Sequence, residues 1–224
     1  MPVITLSRQF GAGGAQVGRA LAERFGARYL DREIVARAAA RAGIPEAEAA
    51  GYDERVPGLW QRIATALASS VPEVAVPAVP PEGLVVTAIG ERLMAITRAL
   101  VEEEAASGNV VIVGRGGGFI LADRPEVLRV QLHATIEVRL GFIRARLEEL
   151  PADVRPDDES LRALCRSIDD ARAAFVRRSF GADWMDARHY DLALDTGRLG
   201  LARCTELIEA GARHLADVTA GAAR

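Results

Sequence analysis

Short apolar runs alternate along the chain with longer stretches in which apolar residues recur every three or four positions. The short runs predict five strands, at residues 3–6, 28–30, 110–113, 127–132 and 191–195. The longer stretches predict helices over residues 15–25, 32–41, 60–69, 91–106, 137–149, 159–180 and 201–215. The run at 110–113 is apolar throughout, which is typical of a central strand in a parallel sheet.

This alternation of strands and helices predicts an α/β fold, a three-layer, doubly wound parallel sheet of about five strands. The chain has 224 residues, half of them apolar, which suffices for one domain over residues 1–224. Within it we expect a helical, proline-rich insertion over about 45–90 and an arginine-rich, lid-like helical segment over about 155–185. The proline-rich part, residues 71–81, is either a mobile flap or a plain surface linker.

Composition narrows the function classes. A net charge of -3 argues against a general nucleic-acid surface, and no apolar run is long enough to span a membrane. Cys165 and Cys204 lie outside metal and redox motifs, as free thiols in a reducing cytosol would. Met1 leads directly into a strand-like run, so we expect a cytoplasmic protein without a signal peptide. The three histidines have no metal-ligand spacing, and we predict no resident metal site.

The turn after the first strand carries the main candidate chemistry. Its glycines allow the backbone to curl round an anion, and the helix that follows directs amides and a partial positive charge to the same point. We therefore predict a loop that binds the phosphates of ATP, formed by Gly11, Ala12, Gly13, Gly14, Ala15 and Gln16. A second glycine-rich turn, at 114–118, follows the central strand and belongs to the same edge of the sheet.

The loop departs from the P-loop pattern GxxxxGK[ST]. With Gly13 on the second glycine, Gly14 stands at the lysine position and Ala15 at that of the magnesium-binding hydroxyl. Arg8 stands at the first glycine, and our hypothesis is that it supplies the missing positive charge. All 28 basic residues are arginine, which grips phosphate with two parallel hydrogen bonds; the codon bias of a GC-rich genome would produce the same composition.

Two other interpretations of the turn stay open. The segment from Gly11 to Gly13 resembles the start of a dinucleotide fingerprint, and Asp31 falls about 20 residues on, where a ribose-binding acid belongs. In that fingerprint the third glycine would be displaced, to Gly18. A plain strand–helix turn without a ligand gives the same pattern.

Several blocks resemble the cytidylate kinase-like family, which is related to the bacterial cytidylate kinases. The blocks are ITLSRQFGAGG from Ile4, YLDRE from Tyr29, VGRG from Val113 and DLALDT from Asp191, preceded by Trp184 and Tyr190. They follow in order over nearly the whole chain. The resemblance implies a P-loop fold of the nucleoside monophosphate kinase type with a helical lid. It also implies ATP-dependent phosphoryl transfer, with Mg²⁺ bound to ATP and a small phosphorylated acceptor such as CMP or dCMP.

The resemblance also implies roles on the acceptor side. The family's Tyr-Leu-Asp motif and the arginine after it correspond to residues 29–31 and Arg37, so Asp31 and Arg37 are expected to bind the acceptor. Arg115 corresponds to the arginine of an Asp-Gly-Arg-Asp motif and is expected to bind the acceptor and to act in catalysis. Both acids of that motif are absent here, including the one that helps recognise the pyrimidine nucleotide.

The lid of the family carries an Asp-x-x-Arg spacing. It corresponds to Asp169 and Arg172, followed by Arg177 and Arg178, which are expected to close over the γ-phosphate. The predicted catalytic residues are then Arg8, Arg115 and Arg172. The missing lysine favours a second interpretation, a nucleotide-binding regulatory protein without turnover, and an NAD(P)-linked enzyme is a third. The sequence leaves the acceptor and the oligomeric state open.

Overall fold

A computed structural model describes residues 2–31, 33–43, 84–148 and 155–222. Five strands in these ranges form one sheet: β1 (Val3–Arg8), β2 (Arg28–Leu30), β3 (Val110–Val113), β4 (Val127–His133) and β5 (Leu192–Asp195). Their order across the sheet is β2-β3-β1-β4-β5, and every neighbouring pair is parallel. The first strand is therefore the central one.

Eight helices connect and cover the strands in the described ranges. They are α1 (Gly14–Phe25), α2 (Glu33–Ala42), α3 (Leu84–Ala106), α4 (Gly117–Ile120), α5 (Ile136–Leu147), α6 (Asp158–Phe180), α7 (Thr196–Leu199) and α8 (Leu201–Ala222). A 3₁₀ turn covers Ala187–His189. None of these helices combines the length and the apolar character that crossing a bilayer requires.

Two hydrophobic cores lie on opposite faces of the sheet, because successive residues of a strand point to opposite sides. One core contains Val3 of β1 and includes Ile34 of α2 and Leu100 of α3. The other contains Ile4 of β1 and includes Leu21 of α1, together with residues of α8. Helices thus cover both faces, and the predicted three-layer, doubly wound α/β architecture is confirmed.

The element boundaries differ from the predicted ones in a few places. β1 continues through Ser7 and Arg8, because these residues still pair with β4. α3 begins at Leu84, so it includes the last residues of the expected insertion. The rest of that insertion, with the predicted helix 60–69 and the proline-rich part 71–81, lies outside the described residues. The division into insertion and lid stays a prediction.

The topology fixes where a site can form. The carboxyl ends of parallel strands meet at one edge of the sheet, and ligands of doubly wound folds bind there. At that edge β1 ends at Arg8, β2 is followed by Asp31, and β3 is followed by Gly114. The phosphate loop predicted from the sequence starts from the middle of this edge.

Candidate functional site

The turn between β1 and α1 is a curled loop that ends at the start of a helix. Its backbone is left-handed twice, with φ of +78° at Gly11 and +81° at Gly13. Val17 is the first residue of α1 whose amide bonds within the helix, to the Gly13 carbonyl at 3.1 Å. The three amides before it, at residues 14–16, have no acceptor inside the helix, and no side chain caps this end. Amides arranged in this way bind anions in many proteins.

The six predicted loop residues are not equivalent. The amide of Ala12 donates to the Gln9 carbonyl at 3.2 Å, so it is already engaged within the loop. Ala15 is buried and carries no hydroxyl, whereas Gln16 is exposed at the first turn of α1. The phosphate-binding role of this loop stays a prediction, and its geometry leaves the amides at 14–16 as the clearest donors.

Arg8 fills the space in front of the lysine position of the P-loop pattern. It ends β1 and is only 7% exposed. A Cβ atom added to Gly14 would lie 2.6 Å from the Cγ atom of Arg8, closer than side chains approach one another. The absence of a side chain at Gly14 and the presence of a long one at Arg8 are therefore two parts of one packing arrangement.

The guanidinium of Arg8 reaches the end of the neighbouring strand β3 and, beyond it, the end of β2. Its Nη2 atom lies 3.5 Å from Oδ1 of Asp31, which is 4% exposed. The hydroxyl of Tyr29 donates to the other carboxylate oxygen of Asp31 at 3.3 Å. The Nη1 atom of Arg8 lies so close to the Cα atom of Gly114 that a Cβ atom there would collide with it. Arg8 and Asp31, which the sequence suggested separately, are thus brought together.

The turn after β3 has an unusual backbone. Three successive residues have positive φ, +77° at Gly114, +58° at Arg115 and +66° at Gly116. L-residues avoid this region because Cβ approaches the following carbonyl oxygen, so Arg115 is held there by its surroundings. Such strain collects at functional sites. Arg115 is half-buried at this turn, and its roles in acceptor binding and catalysis stay predictions.

Arg37 lies away from Arg8 and Asp31, and the last two predicted lid residues are on the surface of α6. Arg37 forms an ion pair with Glu104, and the same carboxylate pairs with Arg28, the first residue of β2. This contact directs Arg37 toward the amino end of the strands, away from Arg8 and Asp31. Arg177 and Arg178 are exposed in the last turn of α6. The structure does not bring Arg37 into the cluster formed by Arg8 and Asp31.

Two helices, α5 and α6, contact the main chain of the loop. The Phe10 amide donates to Oδ1 of Asp169 at 2.8 Å, and Nη1 of Arg139 donates to the Phe10 carbonyl at 3.1 Å. Nη1 of Arg172 donates to the Arg8 carbonyl at 3.0 Å. Asp169 and Arg172 were predicted as lid residues, whereas Arg139 was not among the predicted site residues. Burial raises the pKa of the Asp169 carboxyl, against the lowering effects of Arg172, the Phe10 amide and Arg139.

The segment after α6 holds the start of the loop. The indole N–H of Trp184 donates to the Ser7 hydroxyl at 2.7 Å, and the Tyr190 hydroxyl donates to the Trp184 carbonyl at 2.8 Å. Burial raises the pKa of Tyr190 to about 12, so the phenol stays neutral. Trp184 and Tyr190 belong to one of the blocks that carry the family resemblance. In the structure, this block holds Ser7, the residue before Arg8.

The residues present are compatible with a Mg²⁺ ion that arrives on ATP. The described ranges contain no group of three or more His, Cys, Asp or Glu side chains that could hold a metal by itself. A nucleotide-borne Mg²⁺ needs few protein ligands, because it keeps several waters and binds phosphate oxygens. Asp31 offers one carboxylate at this edge, with an Oδ1 atom that is buried and makes no hydrogen bond within the described structure.

Other solved structures share this fold. An uncharacterized protein from Eubacterium ventriosum matches with a TM-score of 0.62 and 15% identity, over 95% of this chain and 99% of that one. A gluconokinase from Sinorhizobium meliloti matches with a TM-score of 0.54 and 15% identity, over 100% and 98% of the two chains. At such identities the likeness establishes the fold alone. None of the curated proteins matches the sequence.

The family comparison covers most of the chain. The model of the cytidylate kinase-like family matches residues 3–198, from the start of β1 into α7. This range includes the loop, the three strand ends and the contacts from α5 and α6. The resemblance first seen in the sequence blocks is confirmed, as is a fold of the P-loop kinase type. The chain belongs to the cytidylate kinase-like family.

Proposed function

We propose that the protein transfers the γ-phosphoryl group of ATP to a small phosphorylated acceptor. Membership of a kinase-like family supports phosphoryl transfer, while the acceptor is not identified by it. CMP and dCMP are the first acceptors to test, because the family is named for them. The activity is proposed for the cytoplasm, where ATP and Mg²⁺ are abundant.

The packing of Arg8 against Gly14 is the observation that carries this proposal. A P-loop needs a cation near the β- and γ-phosphates, and this chain has no lysine at all. The stem of Arg8 lies over the place where that lysine would begin, 2.6 Å from the Cβ position of Gly14. Arginine there can bind phosphate with two hydrogen bonds, so the cation is moved to another residue rather than lost.

The proposed reaction requires little covalent chemistry from the protein. An oxygen of the acceptor's phosphate attacks the γ-phosphorus, a new O–P bond forms, and the bond from the γ-phosphorus to the bridging oxygen breaks to release ADP. The amides at the start of α1 would hold the β-phosphate and Arg8 would stabilise the negative charge that develops. Arg115 and Asp31 would orient the acceptor. Mg²⁺ bound to ATP would neutralise charge on the phosphates, and Asp31 is the carboxylate that would help to hold it.

Coupled ADP release against a panel of monophosphates tests the activity. We expect turnover with at least one acceptor, and a much reduced rate in the Arg8→Ala variant. Arg24→Ala is the matched control, because Arg24 lies in the last turn of α1, the end away from the loop, and pairs with Glu209. Turnover that is equal in the two variants would show that Arg8 is not the substitute cation.

A nucleotide-binding regulatory protein is the second candidate. The observation that favours it is the ion pair between Arg8 and Asp31, which compensates the charge that catalysis would use. The absence of a hydroxyl at Ala15 points the same way. ATP binding in calorimetry without ADP release for any acceptor would support this candidate. Tighter binding of NAD than of ATP would support the dinucleotide interpretation instead.

A further inference from the structure

We propose that Arg139, Asp169 and Arg172 form a clasp that fixes the phosphate loop from behind. They would act as positioning residues through the main chain of the loop, and not as lid residues that touch the nucleotide. This inference rests on the proposed nucleotide binding of the loop and assigns a role to one residue, Arg139, that the sequence did not single out.

The first part of the clasp is a closed ring of three groups. Asp169 accepts from the Phe10 amide at 2.8 Å with one oxygen and from Nη1 of Arg139 at 2.5 Å with the other. The same Nη1 atom donates to the Phe10 carbonyl at 3.1 Å. Both polar groups of Phe10 are therefore bound by side chains from α5 and α6. This leaves the loop little freedom to rotate at Phe10.

The second part reaches the residue proposed to replace the lysine. Arg172 donates to the Arg8 carbonyl at 3.0 Å and lies 3.7 Å from Oδ1 of Asp169, one turn earlier on α6. The clasp therefore grips the main chain on both sides of Gln9. Because the backbone of Arg8 is held, the point and direction from which its side chain starts across Gly14 are held as well.

Burial makes any break in the clasp costly. Arg139 and Arg172 are 6% and 8% exposed, so breaking one contact would leave a buried charge without its partner. Both guanidinium groups lie against the carboxylate of Asp169, so this carboxylate joins the two halves of the clasp.

The same contacts argue against the lid role. A lid arginine must be able to swing over the nucleotide, whereas Arg172 is buried and bonded to the main chain of Arg8. Asp169 would have to leave both Arg139 and the Phe10 amide. Movement of α6 would break these bonds and would disturb the loop that the lid is supposed to cover.

Asp169→Asn is the test variant, with Asp170→Asn as its matched control. The substitution at Asp169 removes the charge that binds Arg139, while Asp170 is the next residue of α6 and is exposed. We measure hydrogen exchange in the peptide that covers the loop, residues 7–14, and the Kd of ATP by calorimetry. In Asp169→Asn we expect exchange in this peptide to accelerate and the Kd to rise, each by at least about tenfold. In Asp170→Asn we expect both to match the wild type.

The two readouts separate the clasp from the proposed function. Unchanged loop exchange in a folded Asp169→Asn protein would overturn the clasp, and faster exchange with an unchanged Kd would overturn its positioning role. If the wild type bound no ATP, the proposed function would fail, while the exchange arm would still decide whether the clasp holds the loop. If Asp169→Asn does not fold, the same two measurements are made on Arg139→Lys. This variant keeps the charge but shortens the reach to Phe10 and Asp169, so we expect the same changes.

Discussion

Single side chains decide whether the loop can work without a lysine. Gly14 and Arg8 lie six residues apart in the chain but share one volume of space, since a Cβ atom on the first would meet the Cγ atom of the second. A side chain at either position therefore constrains the other. If the side chain of Arg8 occupies the space of a side chain at position 14, substitutions at the two positions must be energetically coupled.

This coupling can be measured in a double-mutant cycle. We expect Gly14→Ala to lower the free energy of unfolding by about 1–3 kcal/mol, because it forces Arg8 to move. In the Arg8→Ala background the same substitution should cost much less, because the Cγ atom that it meets is gone. Chemical denaturation of the four proteins gives the four values. Equal costs in the two backgrounds would contradict the shared space.

Asp169 predicts a pH dependence of nucleotide affinity. The groups that couple to its carboxyl are Arg139 from α5, Arg172 from α6, the Phe10 amide from the loop and Cys165 from α6. Cys165 stays neutral, because burial raises its pKa to about 11. Burial also raises the pKa of Asp169, so its carboxylate takes up a proton at a higher pH than an ordinary aspartate. That protonation removes the ion pair with Arg139.

We therefore expect the ATP affinity of the wild type to fall as the pH is lowered, starting at a higher pH than the titration of an ordinary aspartate. The native state binds this proton more readily than the unfolded chain does. Asp169 therefore adds stability to the fold as the pH falls through its raised pKa. The loss of affinity is then not a loss of fold. Calorimetry of the wild type and Asp169→Asn over this range checks the prediction, since the protonation of ATP affects both proteins equally. An affinity ratio that stays constant with pH would contradict it.

At the scale of the elements, periodicity found the strands and the long helices of the described residues, while the lid role of α6 stays a prediction. The Asp-x-x-Arg spacing on α6 suggested a lid, yet Arg172 falls in register with the buried residues Ile168 and Val176, four positions away on either side. Arg139 likewise precedes the buried Ile143 of α5 by four positions. An arginine at an apolar position of a helix is the signal that could have indicated a buried, bonded side chain.

The turn between β3 and α4 predicts a second stability effect. Gly114 has φ of +77° and also lies against the guanidinium of Arg8, so a Cβ atom there suffers both backbone strain and a collision. Gly181 has φ of +64° but no atom within 4 Å of its Cβ position, and it serves as the control. Each alanine substitution should cost about 1–2 kcal/mol of backbone strain.

We expect Gly114→Ala to cost more than Gly181→Ala in thermal or chemical unfolding. We also expect it to raise the KM of the acceptor, because moving Arg8 disturbs its ion pair with Asp31, which is proposed to orient the acceptor. Gly181→Ala should leave that KM unchanged, because it only ends α6. Equal losses of stability in both variants would mean that the Arg8 side chain moves away from Gly114 without an energetic cost. The positive φ of Arg115, next in the chain, could not be read from the sequence, because it depends on packing between elements.

At the scale of the whole molecule, the strand order creates the site. Apolar runs predicted five strands, but no periodicity specifies that β3 lies between β1 and β2. This order places Arg8 beside Gly114 and lets its side chain extend to Asp31 on the far side of β3. Arg37 illustrates the converse: its motif position was found from the sequence, whereas its partner Glu104 comes from α3 and could not be.

A ligand bound at the loop should stabilise the entire fold, because the loop continues β1 and is bonded to α5 and α6. ATP with Mg²⁺ at about a hundred times its Kd adds about 2.7 kcal/mol, which for a chain of this size raises Tm by roughly 5–10 °C. We expect this rise in the wild type and in Arg24→Ala, and a clearly smaller rise at the same concentration in Arg8→Ala. Differential scanning calorimetry with ATP and with NAD measures it. A larger rise with NAD would contradict a mononucleotide loop, because the amides at 14–16 would then serve a pyrophosphate bridge, with Asp31 on the ribose.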